Sequence, residues 1–293
     1  MVRFSFFSLY FVLATTFLIA QETKQFSINE YTTKNNIPFV EILFNKNGGT
    51  IANENGKLFI NKTNLIKYDT LTFICMGYKT KHVQIKDLLL IDTIFLDTTF
   101  IKLPEIVVSN EKIKEIIIGN KKKGGCQISG YTGTEYVLKL YAPNNNSGYL
   151  QKIGVYVTKK GYPSNPFRLK LYKVDKIGSP GELIETKDIL MQASKGDEWV
   201  YVDVAEYFIY VNEVGVFASV QWLPEGKDHS KTSGAIQTME SGHILGASLS
   251  RKTDRTDLVF RKYLGDKEWK NDVEWFKKID SNFPIPSIIG IIK

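Results

Sequence analysis

Apolar and polar residues alternate over short stretches along most of the chain, and that two-residue period predicts strands rather than helices. In the N-terminal part the predicted strands are 39–44, 57–60, 70–74, 82–85, 93–96 and 105–108. They recur about every ten residues with turn chemistry between them, the rhythm of a β-sandwich. Asn53-Glu54-Asn55-Gly56 supplies an Asn-Gly pair, which tolerates the positive φ of a tight hairpin. Strand patterning resumes at 152–157, 167–172, 199–204, 215–222, 244–249 and 258–260. Within 167–172, Phe167, Leu169 and Leu171 fall on one face and Arg168, Lys170 and Tyr172 on the other. Only 269–279 carries helical spacing, through Val273, Phe276 and Lys277.

The pattern breaks over 111–128. Gly119-Asn120 and Gly124-Gly125 bracket Lys121-Lys122-Lys123 there, and glycine pairs with like charges predict a linker. The expected fold class is therefore all-β: a β-sandwich over 21–110, a linker over 111–128 and a larger, jelly-roll-like β-sandwich over 129–293.

The extreme N-terminus reads differently. Arg3 precedes an uncharged apolar run over 4–19, and Ala20 is followed by the polar Gln21-Glu22-Thr23-Lys24. This predicts an export signal over 1–20, cleaved before Gln21, the alternative being an uncleaved anchor. The run is short for a spanning helix, and no cysteine follows it to take a lipoprotein anchor. The expected location is the periplasm, the outer-membrane periphery or the medium, with no transmembrane segment in the mature chain.

Composition adds little beyond this. Hydrophobic residues at 43% and charged residues at 24% exclude wholesale disorder. Eighteen Phe and fifteen Tyr against four Met suit strands. The net charge of +7 is uneven: residues 111–130 hold five basic and two acidic side chains, while the flanking segments are close to neutral. A nucleic-acid binder needs a basic face on a folded domain, so nucleic acid is not an expected partner. The lysine run is read as keeping the linker solvated. Its functional alternative is contact with an acidic glycan or a lipid headgroup.

Four short pieces then carry a family resemblance. Pro38-Phe39-Val40-Glu41-Ile42, the stretch from Gly49-Thr50 through Gly56 to Ile60, Asp69-Thr70-Leu71-Thr72-Phe73 with Gly77-Tyr78-Lys79, and Leu103-Pro104-Glu105-Ile106-Val107-Val108 occur in order. Residues 37–109 thereby resemble the carboxypeptidase-regulatory-like domain of exported Bacteroidota envelope proteins, with Asn53 where an aspartate is usual and Cys75-Met76 replacing a small-polar and apolar pair. The resemblance implies a transthyretin/Ig-like β-sandwich without catalytic residues. The second segment is less specifically similar to the β-sandwich that follows such domains, through 153–157, 166–169, 178–183 and 198–204.

A search for chemistry finds few candidates. None of the three histidines begins a His-x-x-Glu metal pair, and the serine-hydrolase elbow, the dinucleotide fingerprint, the phosphate loop and the calcium loop are missing. His82 reads as an outward strand residue and His229 as a loop residue. His243 stands beside an apolar strand and is a candidate ligand contact. Cys75 reads as a buried small hydrophobe and Cys126 as a linker residue, so a bridge between them would join two domains. The carboxylate pairs Asp197 with Glu198, Glu182 with Glu185, and Asp266 with Glu268 read as turn or solvent positions rather than a glycosidase pair.

All four tryptophans lie in the second segment. Trp199 and Trp222 sit in apolar runs and are expected in the core. Trp269 and Trp275, in polar surroundings, are the candidate ligand-binding residues alongside His243. No catalytic residue, metal or cofactor is expected. The sequence points to an exported, non-enzymatic envelope protein, a binding or scaffold module with its recognition surface in the second sandwich. The expected partner is an envelope protein or a glycan, with peripheral association at the outer membrane. The alternative is a glycan-binding protein or glycoside hydrolase accessory acting on extracellular polysaccharide.

Overall fold

The computed structural model describes residues 23–45, 48–99, 114–224, 242–250, 257–273 and 282–293. It is nearly all β. The N-terminal half contributes β1 (Thr23–Glu30), β2 (Glu41–Phe44), β3 (Gly49–Ile51), β4 (Lys57–Asn61), β5 (Thr70–Ile74), β6 (Lys81–Gln84) and β7 (Thr93–Leu96). These form a three-stranded sheet, β4-β1-β7, and a four-stranded sheet, β3-β2-β5-β6. Two single-turn helices, Lys62–Leu65 and Ile85–Leu88, carry the chain from one sheet to the other. Alternation puts Phe26, Ile28, Leu58 and Ile60 of the first sheet against Ile42, Leu71, Phe73 and Val83 of the second, and they form one core.

The Asn53–Gly56 turn forms as its residues dictate. Asn53 Oδ1 accepts the N–H of Asn55 at 3.0 Å and of Lys57 at 2.9 Å. Gly56 takes φ 64°, and a Cβ there would stand 2.8 Å from the Ile37 carbonyl oxygen. It does not close a hairpin, because β3 and β4 belong to different sheets. The predicted strand at 105–108 lies outside the described residues.

The second half contributes β8 (Ile116–Gly119), β9 (Cys126–Ile128), β10 (Glu135–Leu140), β11 (Gly148–Gly161), β12 (Phe167–Val174), β13 (Pro180–Leu183), β14 (Ile189–Met191) and β15 (Glu198–Asp203). After them come β16 (Tyr210–Val211), β17 (Val216–Trp222), β18 (His243–Ser250), β19 (Val259–Lys262), β20 (Lys270–Asn271), β21 (Phe283–Pro286) and β22 (Ile288–Ile292). One sheet runs β13-β12-β17-β10-β19-β20, with β14 also on β12. The other is built on the long β11, flanked by β15 and β16 on one side and by β22 and β18 on the other. Beyond these, β8 pairs β22, while β9 and β21 pair β18. Leu150, Ile153, Val155 and Val157 of β11 pack against Leu169, Leu171, Val220 and Trp222 of the facing sheet.

One expectation is corrected here and another is met in part. The linker expected over 111–128 holds, where described, two paired strands, β8 and β9, on either side of the loop 120–125, because Ile118 and Ile128 enter the core of the second sandwich. The helical spacing over 269–279 is met in part: β20 pairs with β19, the chain turns helical at 272–273, and 274–281 lie outside the described residues.

Arg168, Lys170 and Tyr172 do face away from the sandwich core, yet Arg168 and Lys170 are buried, because the N-terminal half covers that face. Arg168 holds Asp188 through two parallel bonds of 2.5 and 2.9 Å, and donates to the Phe39 carbonyl at 2.8 Å and to Gln221 at 3.1 Å. Lys170 bridges Glu41 at 2.6 Å and Glu135 at 2.8 Å. Glu135 in turn accepts from Tyr172 and Ser219. Burial would raise the Glu41 carboxyl, but Lys170 and Arg168 outweigh it and hold it below its ordinary value. Beside the charges, Phe39, Ile51, Leu223 and Leu264 close an apolar contact between the halves.

Candidate functional site

The opposite broad face of the second sandwich, the outer side of the β11 sheet, carries a row of aromatic side chains. Alternation sends Ile153, Val155 and Val157 of β11 into the core, so Gly154 and Tyr156 face outward. Register then decides what stands beside them: Tyr156 pairs with Trp199 and Gly154 with Tyr201 on β15. The Tyr156 and Trp199 rings meet edge to face at 5.5 Å, and Trp199 and Tyr201 lie 6.3 Å apart. At the start of β11, Tyr149 faces Tyr210 of β16, with their rings 5.5 Å apart.

Two glycines shape this surface. A Cβ on Gly154 would stand 2.7 Å from the Tyr201 ring, and one on Gly246 would stand 2.5 Å from the Tyr156 ring. Each tyrosine therefore lies down over bare backbone instead of standing off the sheet. Tyr156 is buried beneath its neighbours and Trp199 is half-buried, whereas Tyr149, Tyr201 and Tyr210 remain 49%, 49% and 52% exposed. The row follows β11 from Tyr149 to Tyr156, about 20 Å at the strand's rise per residue.

The acids near the row are occupied. Glu198 accepts the N–H groups of Ser194, Lys195 and Gly196, and these bonds, that of Lys195 foremost, lower its pKa. Asp197 pairs with Lys159 at 3.5 Å. Among the described residues no three His, Cys, Asp or Glu side chains gather as a metal site, and no helix is long and apolar enough to cross a membrane. The surface offers stacking and charge.

The residues expected to bind are placed elsewhere. His243 is a core residue: its ring stacks on Trp222 at 4.7 Å and lies 4.6 Å from Phe167, and its carbonyl accepts the Trp222 indole N–H. It is 1% exposed, its Nε2 has no partner, and burial pushes its pKa down to about 3. Its reading as a ligand contact is corrected accordingly. Trp269 is half-buried against the edge of Tyr172 at 5.2 Å, on the other sheet from the aromatic row. Trp275 lies outside the described residues.

Trp222 is buried as expected, but Trp199 is not in the core. The signal was present in its own strand: Trp199, Tyr201 and Asp203 share one parity, while Val200, Val202 and Val204 share the other. Cys75 and Cys126 are both free thiols. Compared with protein-family models, curated proteins and solved structures, the chain matches none of them.

Proposed function

We propose that the protein is an exported, non-enzymatic binding protein of the bacterial envelope whose outer β11-sheet face takes an extended polysaccharide. The observation that carries this reading is the row of Tyr149, Tyr210, Tyr201 and Trp199, partly exposed rings laid along one sheet face. Sugar rings present C–H faces that stack on indole and phenol planes, and a row of such planes suits a chain of sugars. An exposed aromatic patch on a folded sheet marks an interaction surface.

In this reading the N-terminal half is the carboxypeptidase-regulatory-like module and acts as a rigid spacer. The buried Arg168 and Lys170 contacts to Glu41 support that role, since they tie it to the recognition sandwich. Export rests on the charge-free run at 4–19, and sequencing of the mature N-terminus is expected to begin at Gln21.

The test is a tryptophan-fluorescence titration of residues 21–293 with a panel of polysaccharides. Saturable shifts are expected with at least one glycan, weakened about tenfold or more by Tyr201→Ala, which keeps the Trp199 reporter. The absence of any shift across the panel would overturn the glycan reading in favour of a protein partner on the same face.

A further inference from the structure

Beside the aromatic row lies the lysine run that the sequence assigns to a solvated linker. The structure ties that loop onto the sheet. Asn120 donates through its side chain to Ser248 Oγ at 3.1 Å, to the Ile285 carbonyl at 2.8 Å and to the Pro286 carbonyl at 3.2 Å. Its own carbonyl oxygen Oδ1 accepts the Lys122 N–H, and Ser287 Oγ donates to the Lys122 carbonyl. The loop passes so close to the sheet that a Cβ on Gly246 would stand 2.7 Å from the Lys123 carbonyl oxygen. Gly246 is also the glycine under the Tyr156 ring, so loop and aromatic row meet at one residue.

The charge is presented there. Lys121, Lys122 and Lys123 are exposed, and Lys123 Nζ lies 5.8 Å from the centre of the Tyr156 ring. Among the described residues no carboxylate pairs with any of the three, whereas the nearby Asp197 and Glu198 are taken up by Lys159 and by backbone N–H groups. A flexible linker would let these ammonium groups stay apart in water. A loop tied to the sheet by five hydrogen bonds, counting the Asn120 N–H to the Ile288 carbonyl, holds their backbone in place at the end of a stacking row.

Resting on the glycan-binding reading, we infer that the ligand is an anionic polysaccharide. Its sugar rings lie along Trp199 and Tyr201, and its carboxylate or sulfate groups meet Lys121–Lys123. Pairing exposed cations with a repeating anion gives salt-sensitive attraction, which a neutral glycan lacks.

The experiment compares polygalacturonate, a sulfated galactan and a neutral β-glucan by isothermal titration against residues 21–293, at low and at raised salt. Binding to at least one anionic polymer is expected to exceed binding to the neutral glucan by about tenfold or more, and to weaken as salt shortens the Debye length. Replacing Lys121, Lys122 and Lys123 together by Gln is expected to erase that preference while leaving Trp199→Ala sensitivity intact. Equal, salt-insensitive binding of the neutral glucan overturns the anionic assignment and leaves the glycan surface standing. No binding by any of the three, with no fluorescence shift across the wider panel, removes the surface itself. Carboxylate-only or sulfate-only binding both support the inference and identify the anion.

Discussion

His243 shows how a single buried side chain can make stability depend on pH. It is sandwiched by Trp222 and Phe167, and burial holds its pKa near 3 against an ordinary 6.5. A depressed folded-state pKa contributes stability that is complete above pH 6.5 and is lost as pH falls toward 3. The loss amounts to about 1.4 kcal/mol per pH unit inside that window. Asp272 acts in the opposite sense: burial raises its carboxyl to about 6 despite Arg261 at 3.4 Å, so its contribution fades as pH rises through 6. The variant His243→Phe keeps the stacking and removes only the proton. Urea denaturation between pH 7 and 4 is expected to show a shallower acid slope for His243→Phe. Parallel slopes would mean that the imidazole titrates normally in the folded protein.

At the scale of strands and sheets, much was legible because a strand's two faces are written at alternate positions. The strands at 57–60, 70–74, 93–96, 152–157, 167–172 and 199–204 all appear, within a residue or so or as part of a longer strand. What the pattern left out has physical causes. β10, every residue of which is buried, has two covered faces and so mixes Glu135 and Lys139 with apolar residues, which blurs its period. β8 and β9 are three or four residues long and flank glycines and lysines, whose local chemistry reads as linker, while their pairing partners β22 and β18 are far away in sequence. The apolar run around Trp199 suggests an inward ring, whereas its parity with Tyr201 and Asp203 gives the outward face. The polar face of β12 was legible, but nothing local indicates that another half of the chain would cover it.

The same sheet logic yields a prediction at Gly154. Its missing side chain lets Tyr201 lie flat, so Gly154→Ala is expected to tilt that ring off the sheet. Glycan affinity should fall several-fold while the melting temperature moves by only a few degrees. Unchanged affinity in Gly154→Ala would show that the flattened ring is not part of the binding surface.

For the molecule as a whole, the two faces of the second sandwich have opposite fates. One is sealed by the N-terminal half through Arg168, Lys170, Glu41, Glu135 and Asp188, and the other presents the partly exposed aromatic row. Buried ion pairs are weak sources of net stability, but removing one partner strands the others. Arg168→Met is therefore expected to cost about 3–5 kcal/mol, because the buried Glu41 and the half-buried Asp188 are left with too little positive charge. Calorimetry is expected to show one unfolding transition for the native chain and two for Arg168→Met. A single, unshifted transition in the variant would mean that the halves are not coupled through this network.

The glycan-binding proposal places recognition on the outer β11-sheet face and not at Trp269 on the other sheet. It is tested most directly by titrating polygalacturonate into the native chain, Trp199→Ala and Trp269→Ala under one buffer. The native chain and Trp269→Ala are expected to share one Kd, with Trp199→Ala weaker by about tenfold or more. Native affinity in Trp199→Ala, or loss confined to Trp269→Ala, would contradict it.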